Sequence, residues 1–274
     1  MRPTRNYRKA AVAGRFYPAE PEKLNASIRE FLEPTEQRRK AIGLVVPHAG
    51  YMYSGHVAGA VYARVDLPQR NIVLCPNHTG LGVPLSIMKS GVWETPLGDM
   101  PIDEELCEAL MRADPDLEDD THAHRFEHAL EVQLPFMQHI GGGSVQFVPI
   151  TIGTSSFQRL EELGRAIASV VEKIERTTLI IASSDMNHYE SDAITRVKDR
   201  KAIDQVLAMN PRGLYDVVQR EKISMCGYGP TVSMLTAAKL LGATRAELVK
   251  YATSGDVSLD FEHVVGYAGM MITG

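Results

Sequence analysis

Residues 178–188 read Thr178-Leu179-Ile180-Ile181-Ala182-Ser183-Ser184-Asp185-Met186-Asn187-His188. The first five are apolar or β-branched without polar alternation, the pattern of a strand covered on both faces. The polar residues begin where that strand ends. In an open α/β sheet, ligands bind at the carboxyl ends of the strands. Two other runs end in the same way. Residues 42–46 lead into Pro47-His48-Ala49-Gly50, and residues 71–75 lead into Pro76-Asn77-His78. Working outward, residues 145–150, 248–252 and 263–272 also have strand character. Helical periodicity covers residues 21–32, 54–65, 103–112, 126–140, 157–174, 193–209, 211–220 and 231–241. This alternation predicts a layered α/β/α fold around a mostly parallel or mixed central sheet. Gly141-Gly142-Gly143 reads as a helix-to-strand turn, and no repeat or linker divides the chain, so residues 1–274 are read as a single domain.

Composition excludes several classes. The chain has 274 residues, 44% hydrophobic and 23% charged, enough for a full core and unlike a disordered, collagenous or coiled-coil protein. A net charge of −5 gives no strong nucleic-acid or membrane-surface signal. No apolar run reaches the roughly 18–20 residues of a membrane helix. Three cysteines, with no C-x-x-C among them, read as free thiols in a reducing, cytoplasmic compartment. Arg2, Arg5, Arg8, Lys9 and Arg15 lack the apolar segment of a secretory signal behind them and read as an ordered N-terminal arm.

An imidazole follows each of three strand ends: His48, His78 and His188. One such histidine would most simply satisfy a turn; three at equivalent positions point to a site. Cys226 precedes Gly227-Tyr228-Gly229-Pro230 and a helical run, so its thiol lies just upstream of a helix N-terminus, a setting expected to favour thiolate. Cys75 and Cys107 read as small buried hydrophobes. Two imidazoles and a thiolate suit iron, copper or zinc rather than magnesium or calcium, and leave a coordination position open. Asp185 and His188 are candidates for acid–base or supporting roles. A competing cluster is His122-Ala123-His124-Arg125-Phe126-Glu127-His128, after an acidic run (Asp114, Asp116, Glu118, Asp119, Asp120) read as a solvated loop that leaves His122 and His124 exposed. Glu127, His128 and Glu131 alternatively border the main crevice from a neighbouring helix, and Tyr53 is read as a pocket residue. Gly227-x-Gly229 lacks a dinucleotide or phosphate-loop context, no glycines flank Ser183 or Ser184 as in a nucleophile elbow, and Met270 and Met271 fit a buried strand.

Taken together, several segments resemble the Memo family. They are residues 11–18 (Ala11 to Pro18), Pro47-His48-Ala49-Gly50-Tyr51-x-Tyr53-Ser54-Gly55, Pro76-Asn77-His78, residues 127–136 (Glu127 to Phe136), Ser183-Ser184-Asp185-Met186-x-His188-Tyr189, Cys226-Gly227-Tyr228-Gly229-Pro230 and Val264-Val265-Gly266-Tyr267. The resemblance spans almost the whole chain in order. It implies a fold similar to the class III extradiol ring-cleaving dioxygenases, in which two histidines and a glutamate hold Fe(II) and a further histidine handles protons. On that likeness His48 and His78 are the metal histidines, Cys226 stands where the glutamate would be, and His188 is the acid–base group. Thiolate in place of carboxylate moves metal preference toward softer or redox-active ions and makes the site itself oxidisable. Prokaryotic members are also called AmmeMemoRadiSam system protein B, which implies functional association with radical-SAM and AMMECR1-like proteins. Eukaryotic members are described as metal-binding redox proteins and as phosphotyrosine-peptide adaptors. The expected function is a metal-binding redox protein or metal-dependent oxidoreductase. The alternatives are a non-catalytic module holding a small-molecule or peptide ligand in the same crevice, or a partner of a radical-SAM protein in modifying a macromolecule.

Overall fold

The computed structural model describes residues 6–35, 37–174 and 177–274; Arg2 and Arg5 of the N-terminal arm lie outside the described residues. The strands are β1 (Tyr7–Arg8), β2 (Gly43–Val46), β3 (Arg70–Pro76), β4 (Leu85–Ile87), β5 (Val92–Thr95), β6 (Gly98–Pro101), β7 (Glu118–Asp119), β8 (Gln146–Ile152), β9 (Thr178–Ser183), β10 (His188–Glu190), β11 (Arg245–Thr253) and β12 (Val264–Thr273). The helices are α1 (Pro21–Phe31), α2 (Tyr51–Arg64), α3 (Glu104–Ala113), α4 (Leu134–Gly141), α5 (Phe157–Val171), α6 (Asp192–Leu207), α7 (Pro211–Glu221), α8 (Tyr228–Leu240) and the short α9 (Gly255–Ser258).

Nine strands form one mixed sheet in the order β10-β12-β2-β9-β3-β8-β4-β7, with β11 paired to β12. Its centre, β2-β9-β3-β8, is parallel throughout. Antiparallel β12 flanks that centre on one side and antiparallel β4 on the other. All four residues of β2, all seven of β3 and all six of β9 are buried, as two-sided apolar strands require. Helix α8 packs against β2, β3 and β9, with α5 and α7 beside it, while α2 lies against β2, β11 and β12. The layered α/β architecture is therefore as expected. A separate three-stranded sheet, β1-β5-β6, was not anticipated. Among the described residues no helix is long and apolar enough to cross a membrane.

Two sequence-based expectations are corrected. The helix expected over residues 126–140 begins only with a 3-10 turn at Glu131–Gln133, followed by α4. Pro135 in the first turn of α4 marks the true start. Upstream, the Glu127 carboxylate accepts the Ala129 backbone N–H at 2.9 Å, a local bond that competes with helix formation. The acidic run is also not a free loop. Asp114 is buried, Glu118 and Asp119 pair as β7 with β4, and His124 behind them is fully buried; His122 is exposed as expected.

Candidate metal centre

β2, β9 and β3 are adjacent in the sheet, so the segments after their carboxyl ends converge. His48 follows β2, His78 follows β3, and the 184–187 segment follows β9. Cys226 comes from a distant part of the chain, two residues before α8. Gly227 between them is packed too tightly for a side chain: a Cβ there would lie 2.4 Å from the Ser183 carbonyl oxygen. This close approach delivers the thiol to the strand ends.

The potential ligand atoms of His48, His78 and Cys226 all lie within 4.8 Å of one another. Cys226 Sγ is 3.2 Å from His48 Nε2, although 178 residues separate the two in the chain. The polar partners settle which nitrogen of each imidazole carries hydrogen. Ser183 Oγ donates its single proton to the Ala129 carbonyl at 2.6 Å, so its 3.0 Å contact with His48 Nδ1 must be an N–H donated to the hydroxyl. Gln133 Nε2 donates to the same hydroxyl at 2.8 Å. His78 Nδ1 donates to Glu127 Oε1 at 2.9 Å, and the His78 backbone N–H reaches Glu127 Oε2 at 2.6 Å. In both rings an orienting group holds Nδ1–H, so the neutral imidazole presents its lone pair at Nε2, the usual support of a metal-binding histidine.

The electrostatics separate the groups. Burial holds His48 well below the ordinary imidazole range, and the neighbouring His78, His128 and His188 push in the same direction. For His78 burial also acts downward, but Glu127 outweighs it and the net shift is upward. Glu127 stays ionised below the usual carboxylate range: burial opposes this, and His78 and the Ala129 N–H overcome it. Cys226 corrects the expectation of a lowered thiol. Burial pushes it well up and the Asp185 charge adds to that, more than the Asp185 and Gly227 backbone N–H groups offset. A helix N-terminus supplies only partial charge, too little against loss of solvent. The same sulfur accepts the Asp185 N–H at 3.3 Å.

Asp185 is 5% exposed and its Oδ1 accepts the His48 backbone N–H at 2.7 Å, so the carboxylate fixes the turn that carries His48. Burial pushes it up to about 6. His188 is half-buried, within electrostatic reach of His48 and Asp185, and donates Nδ1–H to the Ser224 carbonyl at 2.9 Å. Its Nε2 is thereby left as the proton acceptor. His128 stacks on His78 with ring centroids 4.8 Å apart and meets His48 edge-on at 5.6 Å. With His78 and Glu127 it forms a second possible ligand group that overlaps the first. Tyr53, half-buried, packs with Val57, Ala252 and Tyr267.

The 122–128 cluster does not assemble as a site of its own. Among the described residues neither His122 nor His124 joins a ligand group. His124 contacts Thr151 Oγ1 at 3.0 Å through Nδ1 and Ser86 Oγ at 3.3 Å through Nε2, and burial lowers it to about 3, so it is a neutral core histidine. Sequence reasoning missed Arg8, Gln133, Ser183 and Ser224 as supports. None has a local signature, because each acts on a residue distant in the chain.

A family model described as Memo-like protein matches residues 8–271. Curated relatives include a MEMO1 family protein of Methanopyrus kandleri, 43% identical and aligned over 96% of this chain and 98% of its own. One of Pyrobaculum arsenaticum is 44% identical, with the same coverage of both chains. Among solved structures, an uncharacterized protein of Escherichia coli K12 is similar in fold, with a TM-score of 0.56 and 14% identity over 86% of this chain and all of its own. With a family model spanning nearly all of its length and such relatives at its side, the chain belongs to the Memo family.

Proposed function

We propose that this protein is a metal-dependent redox protein or oxidoreductase, holding one transition-metal ion on His48, His78 and Cys226. The observation that carries this reading is the convergence of three ligand atoms within 4.8 Å, with both imidazole Nδ1 positions already engaged by Ser183 and Glu127. Two borderline nitrogens and one soft sulfur fit iron, copper or zinc, and a three-ligand set leaves room for substrate. Iron or copper bound there would supply one-electron chemistry at the strand-end crevice.

The residues of the chain then divide the remaining work. Asp185 clamps the His48 backbone and, through its own N–H, the Cys226 sulfur, so one residue sets the spacing of two ligands. His188 accepts or returns a proton at Nε2, while the Ser224 carbonyl keeps Nδ1–H in place. Cys75, Cys107 and Cys226 are all free thiols, which fits a reducing, cytoplasmic setting.

The test is anaerobic purification followed by elemental analysis of wild type and Cys226→Ser. About one iron or copper per chain is expected, with affinity reduced roughly 10- to 100-fold or more in the variant. Absence of any stoichiometric metal from the wild type would sink the reading. Zinc alone would remove its redox half.

A further inference from the structure

We propose that a groove beside the 121–126 segment binds a nucleoside phosphate. The groove has a volume of about 560 Å³ and runs between β1 with the residues after it and the 121–126 segment. That size falls within the roughly 300–1,000 Å³ of small-ligand sites. None of His48, His78, Cys226, Asp185 or His188 lines it, so the inference stands apart from the metal reading.

Charge is the first argument. The chain as a whole carries −5, yet the lining holds Arg8, Lys9, His122 and Arg125 and no carboxylate. Arg8 is the floor rather than a reader of ligand. Its guanidinium is used up on the His124 and Glu127 carbonyls and the Glu131 carboxylate, and it lies 3.9 Å from the centroid of Trp93. Lys9 and Arg125 are exposed, and among the described residues neither forms an ion pair. Their charge is therefore directed at the groove and solvent.

Exposed aromatic surface is the second argument. Phe126 is 57% exposed and Tyr7 50%, both at the groove. The Arg125 guanidinium lies over one face of the Phe126 ring, 5.1 Å from its centroid, so positive charge and exposed aromatic surface, the pairing that a phosphate joined to a base would use, sit together. The Tyr7 hydroxyl donates to Asp99 at 3.3 Å, which holds the second ring at the rim and sets one carboxylate outside the lining, behind that ring's hydroxyl. A bare phosphate would use the cations and leave both rings idle. A ligand joining a planar ring to phosphate uses both.

Titrating ADP into the full-length protein by calorimetry at low salt tests this, with inorganic phosphate as the comparison. Saturable binding is expected well below about 1 mM, with a change in emission of Trp93, the single tryptophan, beneath Arg8. Lys9→Gln with Arg125→Gln, and separately Phe126→Ser, should each weaken ADP by about tenfold or more. These side chains are exposed, and circular dichroism checks that each variant is folded. No saturable ADP binding by about 1 mM overturns the proposal. So does wild-type affinity in the double variant, or phosphate binding as tightly as ADP.

Discussion

Glu127 and Glu131 are four residues apart, both fully buried, and do different work. Glu127 takes the backbone and Nδ1 hydrogens of His78, so its charge decides which ring nitrogen is left for a ligand. Glu131 is saturated by Arg8, the Ala11 and Val12 backbone N–H groups and the Tyr17 hydroxyl, all from the N-terminal segment. Glu127→Gln keeps the shape and removes the charge behind His78. Metal affinity, read by competition with a chromophoric chelator, should fall about 10- to 100-fold. Glu131→Gln should lower stability and leave metal affinity near wild type once folded. Equal metal affinity in Glu127→Gln and wild type would refute the orienting role. At this scale the placing of His48 and His78 just beyond strand ends was legible, because strand ends followed by imidazoles are visible in one dimension. It misled on the Cys226 thiol, because burial is a three-dimensional quantity that outweighs the helix terminus.

Residues 126–130, at the start of the helix expected over 126–140, are the stretch that sequence periodicity misread. His124, His128 and Glu131 have helical spacing, yet no helix forms until Glu131. What shapes the segment is Arg8, 5% exposed, whose guanidinium bonds the His124 carbonyl at 2.6 Å, the Glu127 carbonyl at 2.7 Å and the Glu131 carboxylate at 2.7 Å. Those carbonyls are turned toward β1 instead of along a helix axis. A planar fork that spans three acceptors is specific to arginine. Arg8→Met removes all three bonds and takes the cation away from the buried Glu131 carboxylate, which keeps its bonds from Ala11, Val12 and Tyr17, so a loss of about 3–5 kcal/mol is expected, measurable by urea unfolding. Arg8→Lys should recover only part of it, since an ammonium cannot bridge the three positions. If Arg8→Met unfolds at the wild-type urea midpoint, the clamp is unimportant. The short strands β4 to β7 escaped notice for a related reason: two to four residues are too few to show a period.

Across the whole molecule, the long buried strands and most helices were readable because each fills a two-sided layer, and covering both faces writes a continuous apolar run into the sequence. Strand order and the antiparallel placement of β12 beside β2 were not readable, since pairing partners leave no mark on either run. That order is what brings β2, β9 and β3 together and lets residues 178 positions apart in the chain meet at Cys226 and His48. A metal ion held there would tie two strand ends to the start of α8, and an unfolded chain has no such preformed set. Metal binding is then linked to global stability. At free metal about 100-fold above the dissociation constant, the gain is about 2.7 kcal/mol. For a chain of this size each 1 kcal/mol moves Tm by about 2–4 °C, so anaerobic loading should raise Tm by about 5–10 °C. Cys226→Ser, with one of the three ties removed, should lose most of that increment while keeping the Tm of the metal-free protein. An equal rise in the variant would mean that the stabilising ion sits elsewhere on the molecule.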